Sequence, residues 1–235
     1  MGWGVLRNFR EHAKEMGAKP LSSPMFFIMP PSSILQVNSV HTIIHPDLNT
    51  VLHYEVEFVV QIGRDGRPNG CGVGLDLTNR SAQDVAKSEG MPWTDAKAFP
   101  MSGPYSTLVP YEPVSYEIKL EINGELKQHG KISDMVHNID DLFQAIHSRF
   151  EPEPGDIIFT GSPKGVGPLI PGDKLVASLW KNGTCITDFE AEVVTFEESK
   201  LGASFKKGER VGRKRRRQEW HSGMASLDAS LRVLG

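Results

Sequence analysis

Cysteine is scarce in this chain: Cys71 and Cys185 are the only two in 235 residues. Two thiols build no disulfide framework, and a reducing compartment is the default setting. Long apolar runs are missing as well; none approaches the ~20 residues a membrane span needs. No leader pattern opens the chain, because Met1-Gly2-Trp3-Gly4-Val5-Leu6 is short and charges follow at once. Glu11 and Glu15 argue against a transit peptide, which is usually poor in acids. The expectation is a cytoplasmic protein with no membrane partner, mitochondria being the other compartment open to it. There is no internal repeat, no low-complexity stretch in the body, and no strand–helix alternation of the kind that builds a Rossmann sheet.

With 39% hydrophobic and 23% charged residues, the composition is that of an ordinary globular protein. The formal net charge of -3 is unevenly spread. Residues 199–235 carry ten Lys or Arg against three Asp or Glu, which leaves that segment at +7 and the rest at -10. An acidic body is a poor general binder of nucleic acid. The run Arg213-Lys214-Arg215-Arg216-Arg217 reads as a solvated, disordered tail, or more sharply as a nuclear-localisation or polyanion-binding patch. The expected division is a catalytic domain over 1–198 and a basic tail over 199–235.

The pattern of the body predicts mainly β structure with short helices. A first helix is expected over Phe9–Met16, capped by Asn8 with Glu11 three residues on and stopped by Gly17. Others are expected over Ala82–Glu89, capped by Ser81, and over Ile139–Phe150, capped by Asn138. Asn123-Gly124 and Asn182-Gly183 mark two hairpin turns, and Met25–Met29 and Asp156–Thr160 read as short strands.

The stretch His53-Tyr54-Glu55-Val56-Glu57-Phe58, within a strand predicted over 51–62, alternates polar and apolar residues. Glu55 and Glu57 then share one face. Two adjacent carboxylates are costly to bury unless a cation joins them, and a hard divalent ion prefers such oxygen ligands. A plain solvent-facing stripe would alternate in the same way. Asp76, about twenty residues later in a glycine-rich stretch, is a candidate third acid, with Arg80 and Gln83 close behind it. His12 and Glu15 lie three apart on the first helix; the carboxylate could orient the imidazole as a general base, or the two could be a surface pair. Lys97 lies between aromatic residues, either snorkelling or aimed at an anionic substrate. The glycine-rich loop after Thr160 lacks the spacing of a phosphate-binding P-loop but could cradle a carboxylate.

Taken together, Arg7-Asn8-Phe9 with His12 and Glu15, Glu55-x-Glu57, Asp76-x-Thr78, Arg80, Gln83, Pro92-Trp93-Thr94 with Lys97, and Thr160-Gly161-Ser162-Pro163-x-Gly165-Val166-Gly167 occur in an order that resembles the fumarylacetoacetate hydrolase superfamily. Closest is its small single-domain branch of acylpyruvases and oxaloacetate decarboxylases, over residues 4–196. The resemblance implies a mixed β-roll or sandwich like that of the fumarylacetoacetate hydrolase C-terminal domain, assembled as a homodimer. It implies Mg²⁺ or Mn²⁺ held by Glu55, Glu57 and Asp76, and a small 2-oxo acid contacted by Lys97 and Thr160, with Arg80 and Gln83 supporting the pocket. It also implies a water-activating dyad, His12 and Glu15, on a short lid helix at about residues 8–17. The implied reaction is C–C cleavage through a pyruvate enolate, as acylpyruvate hydrolysis or oxaloacetate decarboxylation. Two alternatives stand beside it: an isomerase or tautomerase of 2-oxo dioates, and a catalytically silent binding protein whose basic tail meets a polyanion. The chain departs from the family pattern at Leu6, where a glycine is usual, and at Phe9, where a tyrosine is common. The short segment before Arg7 implies that the family's first strand is largely missing.

Overall fold

The computed structural model describes residues 1–38, 40–46 and 49–195. The basic tail from residue 199 onward lies outside the described residues, and so do its proposed roles. Three β-sheets dominate. The largest has eight strands, in the order Phe26–Met29, Gly2–Val5, Ile157–Phe159, Val56–Ile62, Pro68–Leu75, Gly103–Tyr105 and Ile34–Gln36, with Val109–Pro110 added on Pro68–Leu75. A five-stranded sheet runs Glu125–Lys131, Tyr116–Ile122, Lys174–Lys181, Thr184–Thr195 and His41–His45. A small third sheet joins Gly167–Pro168, Leu52–Tyr54 and Thr78–Asn79. Among the described residues no helix is long and apolar enough to cross a membrane.

The central strand Val56–Ile62 is buried along almost its whole length, so the ordinary wet-face alternation fails there. Phe58, Val60 and Ile62 join the main core with Ile118, Leu120, Leu175 and Leu179 of the five-stranded sheet, and Phe58 stacks on Tyr116 at 5.3 Å. Val59 turns the other way, into a second cluster with Met29, Ile157 and Phe159. Gly74, paired with Glu57, allows this packing: a Cβ there would stand 2.7 Å from Phe159 and 2.8 Å from Val59.

Both hairpins turn where expected, with Asn123 and Gly124 at φ 53° and 78°, and Asn182 and Gly183 at 51° and 79°. Left-handed values at both central residues are what a type I′ turn requires. The helices are α1 (Arg10–Glu15), α2 (Arg80–Glu89), α3 (Thr94–Lys97) and α4 (Ile139–Arg149). Asn138 caps α4 in a full capping box with Asp141.

Four local expectations are corrected. The strand predicted over 51–62 is two strands in different sheets, broken at Glu55. Gly2–Val5 does form a first strand, parallel to Ile157–Phe159, so that element is present though short. Asn8 does not cap α1; Phe9 occupies that position without a side-chain hydrogen bond, because the Asn8 amide is engaged elsewhere. Asn79, not Ser81, caps α2 by accepting from Ala82 N–H, while the Ser81 hydroxyl accepts from Val51 N–H.

Candidate metal centre

The break at Glu55 is what places the acids. Leu52–Tyr54 leaves the small sheet and Val56–Ile62 enters the large one, with Glu55 at the seam. Asp76 follows the end of the strand paired with Val56–Ile62, and its N–H bonds Glu55 O at 2.8 Å. One carboxylate oxygen from each of Glu55, Glu57 and Asp76 falls in a group whose members lie within 4.8 Å of one another. All three side chains are buried. Glu57 accepts from Gly161 N–H at 2.7 Å, and Glu55 accepts from the Thr78 hydroxyl at 3.0 Å.

Two cations meet these acids. Lys97 Nζ sits 2.9 Å from Glu55 Oε2 and 2.5 Å from Asp76 Oδ2, and it is 3% exposed. Arg80 Nη2 donates to Glu55 Oε1 at 2.5 Å, its Nη1 to Gln83 Oε1 at 2.6 Å, and its Nε to His53 Nδ1 at 3.1 Å. Charge is nonetheless unbalanced. Burial works to raise the pKa of Glu55, but Lys97 and Arg80 outweigh it and hold the group down at about 2. Burial and then the charge of Asp76 push Glu57 well above the usual carboxylate range. Burial also lifts Asp76, to about 6, despite the pull of Lys97. Asp76 Oδ1 is buried with no hydrogen-bond partner. An orphaned carboxylate oxygen beside two further acids fits a hard divalent cation, which favours oxygen ligands and offsets the surplus negative charge.

Around this group is a cavity of about 260 Å³. Of the nine residues expected at the site, Glu55, Glu57, Asp76, Arg80, Gln83, Lys97 and His12 line it. His12 Nδ1 lies 3.3 Å from Glu15 Oε2 on α1. Glu15 stands behind His12, outside the lining, and accepts from Gly165 N–H at 3.1 Å. Thr160 is fully buried and also outside the lining: its hydroxyl donates to Phe58 O at 2.8 Å, and Ser162 lines the wall instead.

Two buried amides beside the site, Asn8 and Gln128, are not among the residues the sequence singles out for it. Asn8 donates to His137 O and Thr160 O and accepts from His137 N–H, tying the entry of α1 to the loop that carries Gly161. Gln128 accepts from Val56 N–H at 2.8 Å and donates to Ser162 Oγ and Pro163 O, both at 2.9 Å. The signal for Gln128 was available, since the hairpin's alternation turns this polar residue inward with Gly130.

Comparison with known proteins accords with this arrangement. The family model described as fumarylacetoacetate (FAA) hydrolase C-terminal matches residues 2–194. This chain belongs to the fumarylacetoacetate hydrolase family. It is 36% identical over 196 residues to the mitochondrial oxaloacetate tautomerase FAHD1 of Mus musculus, covering 75% of this chain and 88% of the relative. Its identity to the mitochondrial oxaloacetate decarboxylase of Dictyostelium discoideum is 35% over 182 residues, 72% of this chain and 83% of that one. Among solved structures, a fumarylpyruvate hydrolase from Pseudomonas aeruginosa in complex with Mn²⁺ and pyruvate superposes with a TM-score of 0.76 at 30% identity, covering 83% of this chain and 89% of that one. These relatives agree with the small single-domain branch, and family members such as these are enzymes. The mainly β architecture of curled sheets is the family's.

Proposed function

We propose that this fumarylacetoacetate hydrolase family member is a divalent-metal-dependent enzyme that cleaves the C3–C4 bond of small 2-oxo acids, by hydrolysing an acylpyruvate, decarboxylating oxaloacetate, or both. The observation that carries the proposal is the buried group Glu55, Glu57 and Asp76, with the unpartnered Asp76 Oδ1 and the Lys97 ammonium beside it. Glu55, Glu57 and Asp76 would hold Mg²⁺ or Mn²⁺, which when bound supplies positive charge to the oxygen of the pyruvate enolate that cleavage creates.

The remaining steps belong to the side chains. Lys97 and Arg80 add fixed positive charge at the inner wall, in a site where burial strengthens electrostatic effects. Glu15 engages His12 Nδ1, which leaves Nε2 as the base. In hydrolysis, Nε2 takes a proton from water as the water oxygen attacks the distal carbonyl. The C3–C4 bond then breaks, its electron pair forms the enolate, and the proton held by His12 passes to C3. Acylpyruvate and water thus give a carboxylic acid and pyruvate. Decarboxylation needs no water attack, so His12→Ala should slow hydrolysis by about 10²- to 10⁴-fold and decarboxylation much less. Equal losses in the two rates would refute the role given to His12.

The test of the whole reading is turnover of oxaloacetate, acetylpyruvate and fumarylpyruvate with Mg²⁺ or Mn²⁺ and with EDTA; full activity in EDTA would sink it. Oxaloacetate tautomerisation is a second reading, favoured by the tautomerase named at 36% identity. It would use the same cations and move only a proton, so product analysis separates it: no pyruvate or carbon dioxide is released. The homodimer rests on the family resemblance alone. Light scattering should then give about twice the 26.0 kDa chain mass.

A further inference from the structure

We propose that Leu6 is a specificity-determining residue: its side chain closes the distal end of the metal-site cavity and limits the 2-oxo acid to a short group beyond the bond that breaks. The inference rests on the preceding reading of the inner site and deepens it, from the reaction to the length of substrate the site admits.

The direction of Leu6 follows from the strand that ends beside it. Gly2–Val5 pairs with Phe26–Met29 in the register Gly4 to Phe27, and the ladder runs one step further, with Leu6 N–H bonding Met25 O at 3.0 Å. Trp3 and Val5 turn into the main core. Gly2 and Gly4 face the other way, where a Cβ at Gly4 would strike the Phe27 ring. Side chains alternate along a strand, so Leu6 projects on the Phe27 side. Leu6 and Phe27 both line the cavity, and Lys97 Nζ lies 5.6 Å over the Phe27 ring. Two glycines thus keep this face of the strand bare, and its first bulky side chain stands at the cavity.

Leu6 also stands where the proposed chemistry puts the distal group. With His12 as the base, the distal carbonyl has to lie beside α1. Met16, one helical turn after His12, lines the cavity from the same face, and Ala18 follows it. Arg7 lines the cavity too, but it is exposed, and its long side chain can keep its charge in water. What meets the substrate's tail is apolar bulk. Space is short, since about 260 Å³ would have to hold the ion and the whole substrate, against roughly 300–1,000 Å³ in ligand sites generally. Leu6 cannot retreat to make room: its N–H is held by Met25 O, and two residues on, Asn8 is bound to His137 and to Thr160 O. It is also a position where this chain departs from the family pattern, which usually has glycine there.

The experiment compares wild type with Leu6→Gly and Leu6→Ala, all loaded with Mn²⁺. Calorimetry with straight-chain 2-oxo acids, from pyruvate to 2-oxooctanoate, reads length free of tail charge and of turnover. Wild type should bind acids up to 2-oxopentanoate, which matches acetylpyruvate in length, and lose affinity beyond it. Leu6→Gly should bind 2-oxooctanoate about 10- to 200-fold more tightly than wild type does, the range for a methylene admitted to or refused by an apolar pocket, with Leu6→Ala between them. Pyruvate binding should be the same in all of them, and kcat/KM for butanoylpyruvate against acetylpyruvate should shift in the same direction. A gain on long substrates cannot come from a damaged fold, so it separates a specificity role from a structural one. Wild type binding 2-oxooctanoate as tightly as pyruvate, a Leu6→Gly profile like that of wild type, or equal losses on every acid would overturn the inference while leaving the metal-dependent chemistry intact. Failure of wild type to bind pyruvate in a Mn²⁺-dependent way would instead overturn the inner-site reading, and this one with it.

Discussion

Lys97→Met removes the ammonium that bridges Glu55 and Asp76, at 2.9 and 2.5 Å, at a site where all three side chains are buried. Taking one partner from a buried ion pair costs about 3–5 kcal/mol, because the other charge stays buried. A domain of this size loses roughly 2–4 °C in Tm per kcal/mol, so the variant in EDTA should melt about 6–20 °C below wild type at neutral pH. Acid should narrow the gap. Asp76 already titrates at about 6 and rises further without its cation, so below that value the unpaired acid takes up a proton and the penalty shrinks. Mn²⁺ should narrow it as well. Metal at a hundred times its Kd adds about 2.7 kcal/mol to any fold that binds it, and a site freed of a competing ammonium binds it more tightly. The Mn²⁺-induced rise in Tm should therefore be larger in the variant than in wild type, while turnover falls by about 10²- to 10³-fold for want of the fixed charge. Differential scanning fluorimetry at pH 7.5 and 5.5, with EDTA or Mn²⁺, reads all of this. An unchanged Tm in EDTA, or equal metal increments in the two proteins, would refute the reasoning.

Three further changes probe separate links. Asp76→Asn relieves the crowding of three buried carboxylates but breaks the Lys97–Asp76 ion pair, leaving Lys97 paired with Glu55, so the loss of Tm in EDTA should be smaller than in Lys97→Met while Mn²⁺ affinity, followed by calorimetry, drops at least about 100-fold. Gln128→Leu fills the same space but strands the buried Val56 N–H, at a cost of about 1–3 kcal/mol; hydrogen exchange at Val56 should speed up, and unchanged protection would count against the strut. Asp156 has its pKa lowered: burial would raise it, but hydrogen bonds from the N-terminal ammonium, Trp3 Nε1 and Glu153 N–H outweigh that. A depressed carboxyl stabilises fully above its unfolded value near 4 and loses that contribution as pH falls below it, so the acid limb of a Tm–pH curve should be shallower in Asp156→Asn.

Much of this architecture is legible in the sequence because its signals are local. Asn-Gly at 123–124 and 182–183 dictates two hairpins through backbone conformation alone, and Asn138 with Asp141 writes its own helix start. The three acids are legible for a different reason: the alternation puts Glu55 and Glu57 on one face, a candidate pair for a cation, and it is the family resemblance that adds Asp76 and Lys97 to them. What stays hidden is non-local. Nothing within 51–62 marks the break at Glu55, since neither proline nor glycine stands there; the break is set by Gln128 and Asp76 capturing the neighbouring backbone. Asn8 looks like a helix cap in one dimension because its competitors for the amide, His137 and Thr160, lie more than a hundred residues away. Thr160 likewise offers a hydroxyl in sequence that the fold spends on Phe58 O.

The single amide of Gln128 serves both Val56 and the Ser162–Pro163 turn, and its own direction depends only on how Glu125–Lys131 pairs with Tyr116–Ile122. A one-residue slip in that pairing would rotate Gln128 to the outside and place Lys127 or His129 where it stood. The floor and one wall of the cavity would come loose together, never one without the other. The proposed metal and oxo-acid sites would thus be hostage to the register of a ribbon that contributes no residue to the three-acid group, and random mutagenesis should find loss-of-function changes there that no inventory of cavity-lining residues would anticipate.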